Sequence, residues 1–358
     1  MTSIDDRGTG EMADDVAPVP SIRPAAPARA TIYDVARLAG VNPSTVSRAL
    51  STPGRISAAT ESRIHAAADE LHFTVNPIAR ALHTGRTMTL GLLVADITNP
   101  VFFNFVRGAE RAAADSGYVL VVAESQESGR REAEAAERLI PSVDGLVLVT
   151  TRMSDAQILD LAGRKPLIVV NRELDGVVSV VPELAPGINQ AMAHLAGLGH
   201  RSIAFLAGPS ESWMSGARWR LLEESARRRG VEVQQIGPGV PTLEGGRAAL
   251  PQILASKVTA VAAYNDLMAI GLLLAAQDAG LALPDRLSIL GFDDIFGADF
   301  TSPALTTVRT PLDRMGESAV NRILAAVTGE PPRPAPGPDP MPTELVLRRS
   351  TSRPGGER

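Results

Sequence analysis

From Met88 onward the chain becomes a series of short aliphatic, β-branched runs alternating with helical stretches, and the series is played twice. The first set comprises Thr89 to Ala95, Tyr118 to Ala123, Gly145 to Thr150 and Pro166 to Val170. After Gly187 it resumes with Ser202 to Ala207, Val231 to Ile236, Ala260 to Ala263 and Leu287 to Leu290. Strands separated by helices cannot close as hairpins, so the pattern predicts parallel βαβ units. Two such series predict two doubly wound halves with a cleft between them. Pro331 to Pro342 holds seven prolines in twelve residues and reads as a linker or loop, and Glu344 to Arg349 alternates like a final strand.

Residues 31–73 follow a different rule. Thr31, with Asp34 three residues on, can cap a helix whose Ile32, Val35, Ala36 and Ala39 share one face, and Gly40 ends it. Asn42 followed by Pro43 starts a second helix through Leu50, with Val46, Ala49 and Leu50 turned inward. Ser57 caps a third, in which Ile64, Ala67, Ala68 and Leu71 repeat the apolar spacing. Two short helices joined by a glycine-containing turn and backed by a third make a helix-turn-helix. Residues 1–29, rich in proline, alanine and aspartate without apolar periodicity, read as a disordered leader.

Composition narrows the function classes. The 358 residues contain no cysteine, which excludes disulfides, thiolate metal sites and thiol catalysis. The longest apolar run, Leu267 to Ala276, is too short to span a bilayer, which needs roughly 18 residues or more. The acidic N-terminus does not resemble a secretory signal, so the expectation is a cytoplasmic protein without a membrane partner. Net charge is −5, yet residues 31–86 hold six arginines against four acids. Nucleic-acid binding therefore belongs in that segment. On the second helix Ser44, Thr45, Ser47 and Arg48 project outward; arginine can fork onto guanine, and hydroxyls bond phosphates or base edges.

Ligands of doubly wound sheets bind beyond the carboxyl ends of the strands. Asp96, Thr98, Asn99 and Phe102 follow the first strand there, and Asn171 and Arg172 the fourth. In the second half stand Ser212, Trp213, Arg218, Asn265, Asp266 and Asp293. Amides, carboxylates, an arginine and aromatic faces suit a sugar or a nucleoside. Enzyme readings find little support. Gly197-Leu198-Gly199-His200 runs from helix to strand, the reverse of a dinucleotide loop, and reads as a helix C-cap. His65 and His72 lack a third metal ligand, Ser212 lacks a His and Asp partner, and no Walker motif or nucleophile elbow occurs. No enzyme activity, cofactor or metal is expected.

The run Thr31-Ile32-Tyr33-Asp34-Val35-Ala36 through Ala39-Gly40-Val41-Asn42-Pro43-Ser44-Thr45-Val46-Ser47-Arg48-Ala49-Leu50 resembles the headpiece of the LacI-type (lactose-repressor/galactose-repressor) family. The likeness continues through Leu71-His72-Phe73, Asn76 to Leu82, Gly91 to Phe102, Gly291-Phe292-Asp293-Asp294 and Ser302 to Thr307, essentially residues 31–350. It implies an N-terminal all-α helix-turn-helix headpiece and an α/β effector domain of two doubly wound parallel-sheet subdomains, periplasmic-binding-protein-like. The boundaries expected are 1–29 leader, 30–75 headpiece, 76–86 hinge helix and linker, 87–350 effector-binding and dimerisation domain, and 351–358 disordered tail.

By the same resemblance Thr31, Pro43, Asn76 and Ala79 join the DNA surface, and Leu82 is the wedge that a hinge helix drives into the minor groove. Phe102, Asn171, Arg218, Asn265 and Asp293 fall on effector-contacting positions. Asn171 and Glu183 stand where many relatives have aspartate, so a relative's hydroxyl pattern cannot be copied. The implied function is repression of a carbohydrate-utilisation operon by a homodimer on a pseudo-palindromic operator, released by a sugar. The alternatives are a nucleoside-responsive or corepressor-dependent regulator, or a sugar-binding protein without DNA function. No leucine-heptad tail follows residue 350, which favours a dimer over a tetramer.

Overall fold

The computed structural model describes residues 30–51, 55–73, 85–333 and 340–355. The chain divides into two compact units, Met1–Ala79 and Arg80–Arg358.

In the first unit, α1 (Ile32–Ala39), α2 (Pro43–Ser51) and α3 (Ala58–Glu70) enclose a small core. Val35, Ala36 and Ala39 meet Val46 and Ala49 and the Ile64, Ala67 and Ala68 stripe of α3. The caps at Thr31, Gly40 and Ser57 stand as read. Asp34 accepts from the Thr31 N–H at 2.9 Å and hydroxyl at 2.6 Å, Gly40 takes φ 63°, and Ser57 accepts from the Thr60 N–H. Left-handed φ at Gly40 costs no Cβ clash, which lets the chain turn from α1 into α2.

The second unit holds two sheets. The first contains β1 (Thr89–Val94), β2 (Val119–Glu124), β3 (Gly145–Val149), β4 (Leu167–Val170) and β5 (Val178–Val180) in the order β2-β1-β3-β4-β5, all parallel. Period-two alternation divides its core. Leu90, Leu92 and Val94 face α4 (Val101–Ala114) and α12 (Leu312–Thr328), while Leu93, Leu146 and Leu148 face α5 (Gly129–Leu139) and α6 (Asp155–Arg164).

The second sheet contains β6 (Ser202–Leu206), β7 (Glu232–Ile236), β8 (Ala260–Ala263), β9 (Ser288–Asp293), β10 (Thr306–Arg309) and β11 (Glu344–Val346) in the order β11-β10-β9-β8-β6-β7. Only the β10–β11 pair is antiparallel. Its helices are α7 (Leu184–Leu198), α8 (Trp213–Arg227), α9 (Leu243–Ala248), α10 (Leu250–Ala255) and α11 (Asp266–Asp278). Although α12 follows a strand of this sheet, it packs on the first half. A Cβ at Gly108 would sit 1.9 Å from the Asp313 carbonyl, and one at Gly316 would sit 2.1 Å from that of Phe105, so α4 and α12 touch backbone to backbone. No helix among the described residues is long and apolar enough to cross a membrane.

Three expectations change. β5 (Val-Ser-Val) and β10 (Thr-Thr-Val-Arg) were not read as strands, since neither forms a continuous apolar run. The last strand stops at Val346 and not at Arg349. The expected tail 351–358 is not disordered at 351–355: His194 Nε2 and Thr351 Oγ1 are 2.9 Å apart, Ser352 N–H donates to Ser288 Oγ at 3.0 Å, and Gly355 N–H donates to the Asp285 carbonyl at 2.9 Å. Backbone partners outweigh a polar composition there.

Candidate functional site

On α2 the burial of Val46 and Ala49 leaves Ser44, Ser47 and Arg48 exposed, with Pro43 and Thr45 half-buried. Arg48 has no ion-pair partner among the described residues, so its guanidinium is available to a ligand. Thr31 is also exposed, but its hydroxyl is engaged by Asp34, whose carboxyl is held below the usual range by the Thr31 hydrogen bonds and then by Arg37. Tyr33, 68% exposed on α1, adds an aromatic face that sequence reading passed over. Asn76, Ala79 and Leu82 lie outside the described residues.

In the second unit a narrow cavity of about 40 Å³ lies between the two sheets. Its walls are built from the loops that follow the carboxyl ends of the strands. Asn99 and Phe102 come after β1, Glu127 after β2, Thr150 and Arg152 after β3, and Asn171 after β4. Facing them are Met214 and Arg218 of α8, Pro241 after β7, Tyr264 and Asn265 after β8, and Asp293 at the end of β9. Glu127, Thr150, Asn171 and Asp293 take φ of 58°, 56°, 61° and 104°, a region that non-glycine residues avoid. Strain of this kind concentrates at binding sites.

The second-half wall is organised around Arg218. It forms an ion pair with Asp293 at 2.6 Å, donates to the Tyr264 carbonyl, and lies 4.6 Å over the Phe292 ring and 5.3 Å over that of Tyr264. The Tyr264 ring rests on Gly208, where a Cβ would come within 2.5 Å, and its hydroxyl is 3.0 Å from Ser212 Oγ. Across the cleft, Arg152 Nη2 is 2.7 Å from Glu127 and Nη1 donates to the Thr150 carbonyl at 2.9 Å. Burial pushes the Glu127 carboxyl up, with Arg152 opposing.

The structure thus gathers Phe102, Asn171, Arg218, Asn265 and Asp293 on one cavity, with Asn99 beside them. Asn265 serves the fold as well: its Oδ1 accepts from the Met268 N–H at 2.9 Å and its Nδ2 donates to the Pro241 carbonyl at 3.0 Å. Two expected members are elsewhere. Arg172 is drawn to the Met153 carbonyl at 2.7 Å and to Asp155, and Trp213, the first residue of α8, packs on the second-half core. Asp96 closes its own turn onto Thr98, Ser212 caps α8, and Asp266 is buried behind the wall. Glu127, Thr150, Arg152 and Tyr264 were missed. The available signal was their position just beyond strands already recognised.

Comparison with known proteins gives the same two parts in the same order. Residues 31–76 match the model for bacterial regulatory proteins of the lacI family, and residues 192–351 match that for the periplasmic binding protein-like domain. The chain is 33% identical over 331 residues to the HTH-type transcriptional repressor CytR of Escherichia coli (strain K12), covering 90% of this chain and 96% of that one. The lac repressor dimer bound to operator and the anti-inducer ONPF has a TM-score of 0.78 at 26% identity over 90% of this chain and 99% of that one. The transcriptional regulator CelR–cellobiose complex has a TM-score of 0.64 at 29% identity over 90% of this chain and 100% of that one. With headpiece, paired sheets and interposed cleft all accounted for along nearly its whole length, the chain belongs to the LacI family of bacterial regulatory proteins and is a DNA-binding transcription regulator.

Proposed function

We propose that the protein is a homodimeric repressor that reads its operator through α2 and releases it when a sugar fills the cleft between the two sheets. The observation that carries this reading is the cleft itself: two arginines, carboxylates and amides converge with Phe102 and Tyr264 on one cavity. Such a set hydrogen-bonds hydroxyls in several directions while stacking on an apolar ring face. The CelR–cellobiose complex places a sugar on the same fold. The aromatic pair favours one second reading, a nucleoside whose base stacks on Phe102 or Tyr264.

Release requires a ligand that prefers one arrangement of the halves, because equal affinity for both shifts nothing. A second copy suits the exposed apolar surface of edge strand β2, where Val119 is 63% exposed, and of Phe296 and Phe300, at 69% and 71%. In the same proposal Asn76 to Leu82 forms the hinge helix and Leu82 the minor-groove wedge, so Leu82→Ala reduces operator bending without changing effector affinity. The protein acts in the cytoplasm, on the nucleoid. The test is a thermal-shift screen of sugars and nucleosides, followed by operator-release titration with each hit. A ligand that binds without moving operator affinity removes the repressor–inducer reading.

A further inference from the structure

Three buried side-chain atoms lining the cleft have no hydrogen-bond partner: Thr150 Oγ1, Asn171 Oδ1 and Arg218 Nε. Unpaired buried polar atoms destabilise a fold, so their gathering on one cavity marks where a ligand supplies the missing partners. Thr150 adds a second sign. Its β-branched side chain sits at φ 56°, where such residues are true outliers, although its N–H is satisfied by the Val170 carbonyl at 3.0 Å. Pairing within the sheet does not require that conformation at a cavity wall.

The charges are arranged as two closed pairs, one on each wall. Arg152 is 2.7 Å from Glu127 with side chains 5% and 24% exposed, and Arg218 is 2.6 Å from Asp293 with side chains 4% and 10% exposed. Their formal sum is zero. A phosphate entering this cavity would lose its hydration without meeting an uncompensated cation. A hydroxyl meets no such penalty: it donates to Asn171 Oδ1, accepts from Arg218 Nε, or exchanges either way with Thr150 Oγ1.

We infer that Thr150 and the Glu127–Arg152 pair form a specificity subsite on the first-half wall that accepts hydroxyl groups and rejects phosphate, making the effector an uncharged sugar or nucleoside. The inference rests on the reading of the cleft as the effector site. Glu127 is the selecting residue, since it cancels the charge of Arg152. Thr150 reads one hydroxyl directly.

The test uses the full-length protein and matched probes: D-ribose with D-ribose 5-phosphate, D-glucose with D-glucose 6-phosphate, and cytidine with cytidine 5′-phosphate. Thermal shift and calorimetry are expected to show stabilisation by an uncharged member and none by its phosphorylated partner. Thr150→Val should weaken that ligand about tenfold while the melting temperature of ligand-free protein stays within about 2 °C, because no partnered hydroxyl is lost. Glu127→Gln should shift the preference toward the phosphorylated member by about tenfold or more, through the freed Arg152 charge. The inference is overturned by a phosphorylated probe that binds wild-type protein more tightly than its partner, by a larger drop in the ligand-free melting temperature of Thr150→Val, or by a panel that binds nowhere. If a phosphorylated probe wins and Arg218→Ala abolishes its binding, the cleft survives as the effector site and only the subsite fails. If Arg218→Ala leaves binding intact, the cleft reading falls too.

Discussion

Arg218 Nη2 stands 2.6 Å from Asp293 Oδ1 on the second-half wall, and both residues are more than nine-tenths buried. Each holds the other in the ligand-free cleft, while Arg218 also donates to the Tyr264 carbonyl and Thr310 Oγ1 lies 3.4 Å from Asp293. Breaking a buried pair leaves one charge uncompensated, at a cost of about 3 kcal/mol or more. Arg218→Ala and Asp293→Asn are therefore expected to be less stable proteins that still fold on the remaining cores, dimerise and bind operator. Neither should be released by the effector. Titration calorimetry gives the check, and wild-type affinity in either variant would remove the pair from the effector site.

Arg48 carries the base-reading prediction. On an exposed face beside Ser44 and Ser47 it can fork onto a guanine, so Arg48→Ala should lose about 1–3 kcal/mol of discrimination at one base pair in each half-site. Anisotropy competition between operator and single-base variants measures this. Equal weakening on every sequence would make Arg48 a phosphate contact.

Much of this architecture was legible because local rules and burial agree. Thr31 and Ser57 mark helix starts by side-chain hydrogen bonds and Gly40 a helix end by its freedom at positive φ, none of which depends on distant residues. The long strands β1 and β3 are recognisable since they are apolar on both faces, as buried parallel strands must be. The strands β5 and β10 escaped because Ser179, Thr306 and Thr307 interrupt the unbroken apolar run by which the equally short β4 and β8 were recognised. In the cleft, proximity to a strand end located Asn171 and Asp293 but could not give direction. Arg172 follows Asn171 immediately, yet it turns to Met153 and Asp155 while Asn171 lines the cavity. Arg152 was overlooked for the converse reason: its importance comes from Glu127, twenty-five residues away in the chain.

The ordered C-terminus is open to a direct test. Ser350 to Gly355 bonds to Ile289, Ser288, Asp285 and His200, and the His200 ring is closed on both sides by Thr259 Oγ1 at 2.8 Å and the Ser352 carbonyl at 2.9 Å. Deleting residues 351–358 removes several such bonds at about 0.5–1.5 kcal/mol each, so the melting temperature should fall by several degrees. Burial also lowers the His200 pKa, and the unfolded chain therefore takes up the proton first. Stability should accordingly fall as pH drops through about 6.5, the unfolded-state value. A deletion that melts like wild type would show that the terminal segment contributes nothing.

Asp266 should act in the opposite direction. It is fully buried at the start of α11, with Oδ1 2.6 Å from Thr307 Oγ1 and Oδ2 accepting from the Ile295 N–H at 2.9 Å. Burial, reinforced by the charge of Asp293, pushes its carboxyl well above the ordinary range, and the Thr307 and Ile295 bonds only partly oppose this. The folded protein therefore keeps a proton that the unfolded chain has released. The sign follows: the stabilising contribution is complete below the unfolded-state pKa of about 3.9 and is lost as pH rises through the folded value. Asparagine reproduces the protonated acid, its amide donating to Thr307 Oγ1 and its carbonyl accepting from Ile295. The space admits nothing larger, since even a Cβ at Gly291 would come within 2.0 Å of Asp266 Oδ1. Urea denaturation of wild type and Asp266→Asn across about pH 5 to 8 should show the variant gaining relative stability toward the alkaline end. Comparing the two curves cancels the titrating groups that do not interact with Asp266, so parallel curves would mean that Asp266 does not hold its proton in the folded state.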